Sequence, residues 1–492
     1  MNLNSEQILQ VTKGRLLNKV KSFDSRANFI CINSRECKCG NLFAAFKGHK
    51  TDGTNYISSA IENGCSIVIC ESKPKIKDLE LASEKDIPII FVESSLDAVQ
   101  KIAKFWRQQI KSTVIGITGS TGKTSTKELI LSVLKTKYSV VGTKGNNNNE
   151  LGVPITLSSC NVDTGFAVCE MGMRGKGEID FLSNIARPDT AVITNIGTSH
   201  IERLGSMENI ALAKFEIINY MKSGSGGLLL NAKDKFNDVV LKKINDKKVN
   251  LKIVYFGGDK EVSNNCDIQV WADNVVIDEF CYPSFCVHVK TLDEQNGVFN
   301  YESANVELKL SGYHNISNAC SAIAIGKLYN IPLIDCICAI SKVTPQSGRA
   351  KNINLKNDIK LIDDAYNSNP ESCLSSVKTF DLMKSDYRKI LVLGDMAELG
   401  EYAQKEHKKI GEYIARSSID KLICVGLLAK EFGTSAASLG FKKDDIFYTN
   451  NYNEAFVLLQ KMLKSRDMVL VKGSNCMNLT LLVKKLIKNF EN

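Results

Sequence analysis

No run of this chain approaches the ~18 apolar residues that a membrane-spanning helix needs. The opening residues, Met1-Asn-Leu-Asn-Ser-Glu-Gln-Ile, lack the positive start and apolar core of a secretory signal. Both absences predict a cytoplasmic protein with no membrane span. Paired CxxC motifs are also missing, although the chain holds sixteen cysteines. Cys37-Lys-Cys39 and Cys336-Ile-Cys338 are single-residue gaps, which suit neither a zinc ribbon nor a disulfide framework. Cys70, Cys169 and Cys424 sit inside apolar runs, where a thiol acts as a small hydrophobe. Free thiols are expected in a reducing compartment. Blocks of like charge and basic–aromatic tracts are absent as well, which argues against nucleic acid. The net charge of +9 over 492 residues suits small anionic substrates. There is no internal repeat, low-complexity tract or coiled coil.

What is present is ample apolar material, 43% of residues, arranged in alternating strand-like and helix-like runs. Three segments emerge, in line with ~150 residues per domain. Residues 1–111 read as a small α/β unit with strands at Phe29-Ile-Cys-Ile, Leu42-Phe-Ala-Ala-Phe, Cys65-Ser-Ile-Val-Ile-Cys and Pro88-Ile-Ile-Phe-Val, closed by a helix from Leu96 to Lys111. Residues 112–345 alternate strands (Phe166-Ala-Val-Cys, Thr190-Ala-Val-Ile-Thr, Gly227-Leu-Leu-Leu) with helices, the pattern of a largely parallel sheet. From about 258 to 311 helix periodicity fades. Short alternating runs such as Val306-Glu-Leu-Lys-Leu there predict antiparallel strands, and a helix resumes at Asn315. Residues 346–492 again alternate, with strands at Lys360-Leu-Ile-Asp-Asp, Lys389-Ile-Leu-Val-Leu, Lys421-Leu-Ile-Cys-Val and Met468-Val-Leu-Val. The expected fold is α/β in three domains: a small N-terminal unit, a central mononucleotide-binding parallel sheet of the P-loop type and a Rossmann-like C-terminal unit.

The most telling stretch is Gly116-Ile-Thr-Gly-Ser-Thr-Gly-Lys-Thr-Ser125. It follows Thr113-Val-Ile and precedes the helical Lys127-Glu-Leu-Ile-Leu-Ser-Val-Leu134. Strand, glycine-rich turn and helix in that order cradle a phosphate with backbone N–H groups. Lys123 can reach terminal phosphates and the Thr124 hydroxyl can hold Mg²⁺. The spacing departs from the usual pattern, with Ile117 where the first glycine belongs. Two polar groups fall just past strand ends, where open α/β sheets bind ligands. Glu170 and His200 are candidate Mg²⁺ ligands, an acid/base pair, or plain structural residues. The amide run Asn146–Asn149 suits a loop rich in donors and acceptors, or simply a solvated turn. Lys214, amid apolar neighbours, is either a snorkelling side chain or a functional amine with a lowered pKa.

Taken together, these stretches resemble the Mur ligases. The resemblance rests on Thr118-Gly-Ser-Thr-Gly-Lys-Thr124, Gly145-Asn-Asn-Asn-Asn-Glu-Leu-Gly-Val-Pro154, Glu170-Met-Gly-Met-Arg-Gly-Lys-Gly-Glu178, Thr194-Asn-Ile-Gly-Thr-Ser-His-Ile-Glu202, Ala213-Lys214, Gly312-Tyr-His-Asn-Ile-Ser-Asn318, Gly348-Arg349, Asp363-Asp-Ala-Tyr-Asn-Ser-Asn-Pro370, Gly394-Asp-Met-Ala-Glu-Leu-Gly400 and Lys472-Gly-Ser474. Asn33-Ser-Arg35 and Leu42-Phe-Ala-Ala-Phe-Lys-Gly48 extend it into the first segment. Within that family the chain is most similar to the branch that joins D-alanyl-D-alanine to UDP-N-acetylmuramoyl-tripeptide, with ATP and Mg²⁺, through an acyl phosphate.

The resemblance implies a role for each matching position. Ser34, Arg35 and Lys47 would contact the UDP-precursor. Asn148, Asn149, Tyr366, Asn367 and Asn369 would face substrate. Thr118, Gly119, Ser120, Thr121, Gly122, Lys123 and Thr124 would bind ATP phosphates, with Asn315 and Asn318 near adenine, Arg349 near phosphate and Asp364 near ribose. Thr124, Glu170, His200 and a carbamylated Lys214 would serve the metals. Lys123, Lys214, His200 and Glu170 make up the implied catalytic set. The expected partners are the two small substrates alone, and a monomer is expected. Asn475, Thr54 and Asn33 depart from the family pattern of arginine, histidine and aspartate. The Asp-Asn-Pro-Arg-type motif of the ligase one step earlier is absent. The asparagine-rich loop and the UDP-type first segment speak against a folylpolyglutamate synthase. A noncatalytic nucleotide switch would have no need of Lys123, Glu170, His200 and Lys214 together.

Overall fold

The computed structural model describes residues 1–492 except 49–50, 223, 225, 248, 263–265, 385 and 491–492. Three large sheets, each built from a separate stretch of chain, organise the molecule, and Leu3–Asn4 and Arg26–Ala27 form a further two-stranded antiparallel pair. The first holds β1 (Arg15–Leu16), β2 (Phe29–Cys31), β3 (Asn41–Ala45), β4 (Ile67–Cys70) and β5 (Ile89–Phe91), in the order β1-β5-β4-β3-β2. Its inner strands are parallel and read as unbroken buried runs, as a sheet covered on both faces requires. Helix α1 (Ser95–Gln109) is capped by the Ser94 hydroxyl, which accepts from Asp97 N. Its Trp106 donates to Cys160 O at 3.0 Å, and Arg107 pairs with Asp189 at 2.8 Å. Both contacts tie the first unit to the second.

The central sheet has nine strands: β6 (Thr113–Thr118), β7 (Val140–Gly142), β8 (Phe166–Glu170), β9 (Thr190–Ile193), β10 (Gly227–Asn231), β11 (Lys252–Phe256), β12 (Ile268–Ile277), β13 (Pro283–Asp293) and β14 (Val298–Glu307). Their order is β14-β13-β12-β11-β10-β9-β6-β8-β7. From β7 to β12 the neighbours are parallel; β12–β13 and β13–β14 are antiparallel. The antiparallel region is where the sequence predicts it. Its strands are ten or eleven residues long rather than short. One face of β12 and of β13 is apolar against α4 (His314–Leu328), while β14 is exposed along most of its length, with Val306 buried, and packs against the next helix, Leu333–Ile340. The sequence reading passes over β7 and β11. β7 has three residues, too few to show a pattern.

Residues from 351 onward form a six-stranded sheet: β15 (Lys351–Leu355), β16 (Ile359–Asp364), β17 (Arg388–Gly394), β18 (Lys421–Val425), β19 (Ile446–Thr449) and β20 (Asp467–Lys472), in the order β15-β16-β20-β17-β18-β19. All pairs are parallel except the edge pair β15–β16. The four expected strands are present, and the edge strands β15 and β19 join them. Of the sixteen cysteines, Cys39, Cys338 and Cys476 are exposed and none is bonded to another. Among the described residues no helix is long and apolar enough to cross a membrane.

Candidate active site

The chain leaves β6, returns through β7 and β8 on one side of it, then continues in β9 on the other. This reversal opens a crevice at the carboxyl ends of the three strands. The turn after β6 occupies it and leads into α2 (Lys123–Leu134), whose first residue follows Gly122 in the left-handed region (φ 78°). Gly119 has φ 147°, and a Cβ there would fall 1.9 Å from Thr194 Oγ1. The loop can approach the neighbouring strand end this closely only with glycine. It is held open from the β9 side. Asn195 Oδ1 accepts from Thr121 N at 2.9 Å, Asn195 Nδ2 donates to Thr121 Oγ1 at 2.7 Å, and Thr194 Oγ1 donates to Thr121 O at 2.6 Å. The backbone N–H groups and the α2 N-terminus therefore form a ready anion cradle.

Glu170 ends β8 and is 2% exposed. It accepts from Thr124 Oγ1 at 3.1 Å and from Asn148 Nδ2 at 2.8 Å. Of the four consecutive amides, Asn148 thus braces the carboxylate. Asn149 Oδ1 instead accepts from Gly152 N at 3.0 Å, at the start of the next helix. Lys127, fully buried one turn after Lys123, donates to Thr143 O and Gly145 O and so pins the same loop. Lys123 Nζ donates to Gly119 O at 2.6 Å. Removal from water and the nearby Arg349 charge push its pKa down, against the pull of Glu170.

His200 stands at φ 67°, and its Nδ1 lies 2.5 Å from Glu398 Oε2. Desolvation, with Lys214 and Lys123 adding to it, lowers the imidazole to about 4 despite Glu398. The ring is therefore neutral near pH 7. Nδ1–H donates to the carboxylate, and the Nε2 lone pair is left for another partner. Lys214 ends α3 (Met207–Lys214) and is 1% exposed. It is buried, not snorkelling, and does not line the crevice. Burial and the Lys123 charge bring its pKa well below the ordinary lysine value, while Glu371 opposes them.

Loops of the third sheet close the crevice. Asp364, at the end of β16, accepts from Lys472 Nζ at 2.7 Å and from Ser376 Oγ at 2.6 Å. The Arg349 guanidinium lies 4.1 Å above the Tyr366 ring and reaches Thr124 Oγ1 at 3.5 Å. Asn369 caps α5 (Pro370–Leu382) through its Oδ1 and donates to Ser199 Oγ at 2.5 Å. Asn367 O accepts from Lys472 Nζ at 3.1 Å. On the wall between the two sheets, Asn318 Nδ2 donates to Asn315 Oδ1 at 2.9 Å. The resulting cleft measures about 1470 Å³. A single small-molecule pocket is typically ~300–1,000 Å³, so this cleft has room for several reactants.

Every phosphate-loop residue from Ser120 to Thr124 lines this cleft, together with Glu170, His200, Arg349 and Asp364. Tyr366, Asn367, Asn369, Asn148, Asn149, Asn315 and Asn318 do so as well. Ser34, Arg35 and Lys47 do not: they lie on the first unit, where Arg35 N donates to Asn33 Oδ1 and Lys47 N donates to Glu71. Of the three departures, Asn475 lines the cleft and donates to Tyr366 O at 3.3 Å, whereas the Thr54 hydroxyl is buried without a hydrogen-bond partner. Sequence reasoning missed four participants. Lys472 stands out in the sequence only as part of the Lys472-Gly-Ser474 stretch. Lys127 looked like any helical lysine. Glu398 and Glu371 owe their place to the apposition of two sheets. Glu371 accepts from Thr198 N and Oγ1 at 2.6 and 2.8 Å, and its other oxygen is buried without a partner.

Comparison with known proteins agrees with this architecture. The chain matches the descriptions "Mur ligase family, catalytic domain" over residues 26–107, "Mur ligase middle domain" over 117–326 and "Mur ligase, glutamate ligase domain" over 348–475. It is 31% identical over 491 residues to the UDP-N-acetylmuramoyl-tripeptide–D-alanyl-D-alanine ligase of Bacillus subtilis (strain 168), covering 98% of each chain. It is 32% identical to the Synechocystis ligase of the same name, covering 95% of this chain and 93% of the other. Among solved structures, MurF from Acinetobacter baumannii superimposes with a TM-score of 0.78 at 26% identity, covering 99% of both chains. MurF from Thermotoga maritima in complex with ADP does so with a TM-score of 0.70 at 26% identity, covering 94% and 97%. The phosphate cradle at the β6 switch point and the full-length match to these ligases place the chain in the Mur ligase family.

Proposed function

We propose that this protein joins D-alanyl-D-alanine to UDP-N-acetylmuramoyl-tripeptide at the expense of ATP, and that its domains are residues 1–111, 112–345 and 346–492. The observation that carries the reading is the cleft itself. One side presents Lys123, Thr124 and Glu170; the other presents Arg349, Asp364 and Lys472. The chemistry demands such an inventory. A carboxylate is a poor acyl donor, and making it one means bringing two anions together. The terminal carboxylate of the tripeptide attacks the γ-phosphorus, the bond to ADP breaks, and an acyl phosphate results. The dipeptide amine then adds to the acyl carbon, loses a proton, and phosphate leaves as the amide forms.

The chain's own groups serve these steps. The backbone N–H groups of Gly122 and Lys123 at the α2 N-terminus and the Lys123 ammonium take up phosphate charge, an electrostatic stabilisation that water cannot pre-organise. The Arg349 guanidinium, 4.1 Å from the centre of the Tyr366 ring, adds a fork of donors from the opposite wall. Asn315 and Asn318 suit the adenine and Asp364 the ribose. Ser34, Arg35 and Lys47 on the first unit are assigned to the UDP end.

The donor set also fits Mg²⁺. Thr124 Oγ1 and the Glu170 carboxylate, 3.1 Å apart, would hold it through oxygen, the donor type that this hard ion prefers. His200, which lines the same cleft and keeps its Nε2 lone pair, is the third candidate. When bound, Mg²⁺ would screen the phosphates and the incoming carboxylate from one another. Lys214, buried and with its pKa brought well below the ordinary lysine value, suits carbamylation: the neutral amine adds to CO₂ and releases a proton, which replaces a costly buried cation by a metal-pairing anion.

The test is phosphate release from ATP with a panel of UDP-N-acetylmuramoyl-peptides and amino substrates. Turnover is expected only with the tripeptide precursor and D-alanyl-D-alanine together. Equal turnover with the dipeptide precursor and a single amino acid would assign the chain to the preceding step instead.

A further inference from the structure

The antiparallel part of the central sheet carries a second cluster of ligating side chains. Asp273 on β12 stands directly opposite Cys286 on β13. His288 follows Cys286 by two residues, so strand periodicity puts both on one face. His288 Nε2 lies 2.9 Å from Asp273 Oδ1. One ligand atom from each of Asp273, Cys286 and His288 lies within 4.8 Å of the other two. Trp271, opposite His288 in the ladder, stacks on its ring at 5.3 Å and 15° and fixes its plane. The other face of these strands packs Ala272, Val287 and Val289 into the core, which makes the platform rigid. The ladder shifts register between Asp273 and Val276, with Asn274 at φ 48°. Such bulges re-aim neighbouring side chains. All three residues are half-exposed, and none lines the ligase cleft.

We propose that Asp273, Cys286 and His288 form a binding site for a zinc-class divalent ion, independent of the ligase reaction. One thiolate sulfur, one imidazole nitrogen and one carboxylate oxygen suit a borderline-soft ion. The hard ions Mg²⁺ and Ca²⁺ prefer oxygen alone. Bonds of roughly 2.0–2.3 Å put tetrahedral ligands ~3.3–3.7 Å apart; the Asp273–His288 pair at 2.9 Å opens to that range by side-chain rotation, with all three ligand atoms already within 4.8 Å of one another. The Cys286 thiol gives up its proton to solvent as its sulfur binds the ion. Three protein ligands leave a fourth position for water or a donor from another molecule. A bare Asp–His pair at the surface accounts for two of these groups, but not for a thiol on the same face. The absence of CxxC spacing does not bear on this site, because strand pairing assembles the ligands.

The test uses the full-length protein, stripped with a chelator and titrated with Co²⁺ and then Zn²⁺. The expected result is a near-ultraviolet thiolate-to-cobalt band with tetrahedral d–d bands, saturating at one equivalent and erased by Zn²⁺. Cys286→Ser should lose the charge-transfer band. His288→Asn and Asp273→Asn should weaken Zn²⁺ binding by more than the roughly 10–100-fold that loss of an outer-shell partner costs. Ligase turnover with Mg²⁺ should persist in all three, which verifies their folding. The band should also survive His200→Ala. Absence of the band in the wild type, its persistence in Cys286→Ser, or its loss in His200→Ala would overturn the proposal.

Discussion

His200 and Glu398 meet across the cleft, with imidazole Nδ1 2.5 Å from carboxylate Oε2. One lies at the mouth of the central sheet and the other on the loop after β17. The contact holds Nδ1–H on the carboxylate and leaves Nε2 as the ring's remaining lone pair. It also makes ring orientation depend on closure of the two units. Further contacts span the same gap: Glu371 to Thr198, Asn369 to Ser199, and Gln346 Nε2 to Glu128 at 2.7 Å. Glu398→Ala should therefore leave His200 present but unaligned. The expected loss in kcat is about 10–100-fold, the usual cost of removing the partner of a metal-binding histidine, with a higher Mg²⁺ requirement. A Mg²⁺ titration of turnover measures both, and an unchanged half-saturating concentration would deny Glu398 this role.

Lys123→Ala removes a charge from a turn whose shape is set elsewhere, by Asn195, Thr194 and two glycines. Folding should be unaffected. Turnover should fall by at least about 10²-fold, the scale on which loss of one pre-organised donor is felt. Unfolding curves and phosphate-release rates for the same preparation check the two halves of this expectation. Near-normal kcat in the folded variant would remove Lys123 from the reaction.

How much of this was visible in the sequence depends on how locally each feature is encoded. The phosphate loop was legible because consecutive residues carry both its shape and its chemistry. Glu170 and His200 were legible as positions, since strand ends in a parallel sheet share one edge. Their partners were not. Thr124 and Asn148 reach Glu170 from separate loops, and Glu398 belongs to another unit. Lys127 and Lys123 are one helical turn apart and look alike in sequence. One is fully buried under the amide loop and the other faces the cleft. The long hairpins of β12, β13 and β14 were underestimated because the exposed face of β12 and β13 is largely polar and β14 is exposed along most of its length, so the apolar signal is thin.

His407 lies in α6 (Ala403–Ile414), wholly buried. Its Nδ1–H donates to Ala403 O at 2.7 Å, and its Nε2 accepts from Met396 N at 3.1 Å. This fixes the neutral tautomer beneath the loop that carries Glu398. Burial holds its pKa below the ordinary 6.5. Below that pH the unfolded chain takes up a proton that the folded one resists. The stability contribution is therefore complete above about 6.5 and declines as pH falls further. Thermal unfolding of the wild type should weaken more steeply on acidification than that of His407→Leu. The variant should be less stable at neutral pH by roughly 1–3 kcal/mol, the cost of leaving Met396 N without an acceptor. Parallel Tm-against-pH curves for the two proteins would contradict this account.

Lys214 offers the sharpest test of the proposed chemistry. A buried ammonium is expensive, and Lys123 adds like-charge repulsion. The neutral amine is the form that reacts with CO₂, so the surroundings that make lysine costly here also make its carbamate accessible. Lys214→Ala should fold, because it removes an ill-placed charge from among apolar neighbours such as Ala213 and Phe215. It should lose turnover by at least about 10²-fold if its carbamate pairs with metal in the reaction. The vacated volume then has the shape and charge preference of a small carboxylate. Formate or acetate should restore part of the activity in a saturable, Mg²⁺-dependent manner, and chloride at the same ionic strength should not. Wild-type protein held free of CO₂ should lose activity and regain it with bicarbonate. A Lys214→Ala enzyme as active as the wild type, in air and without CO₂ alike, would take Lys214 out of the mechanism.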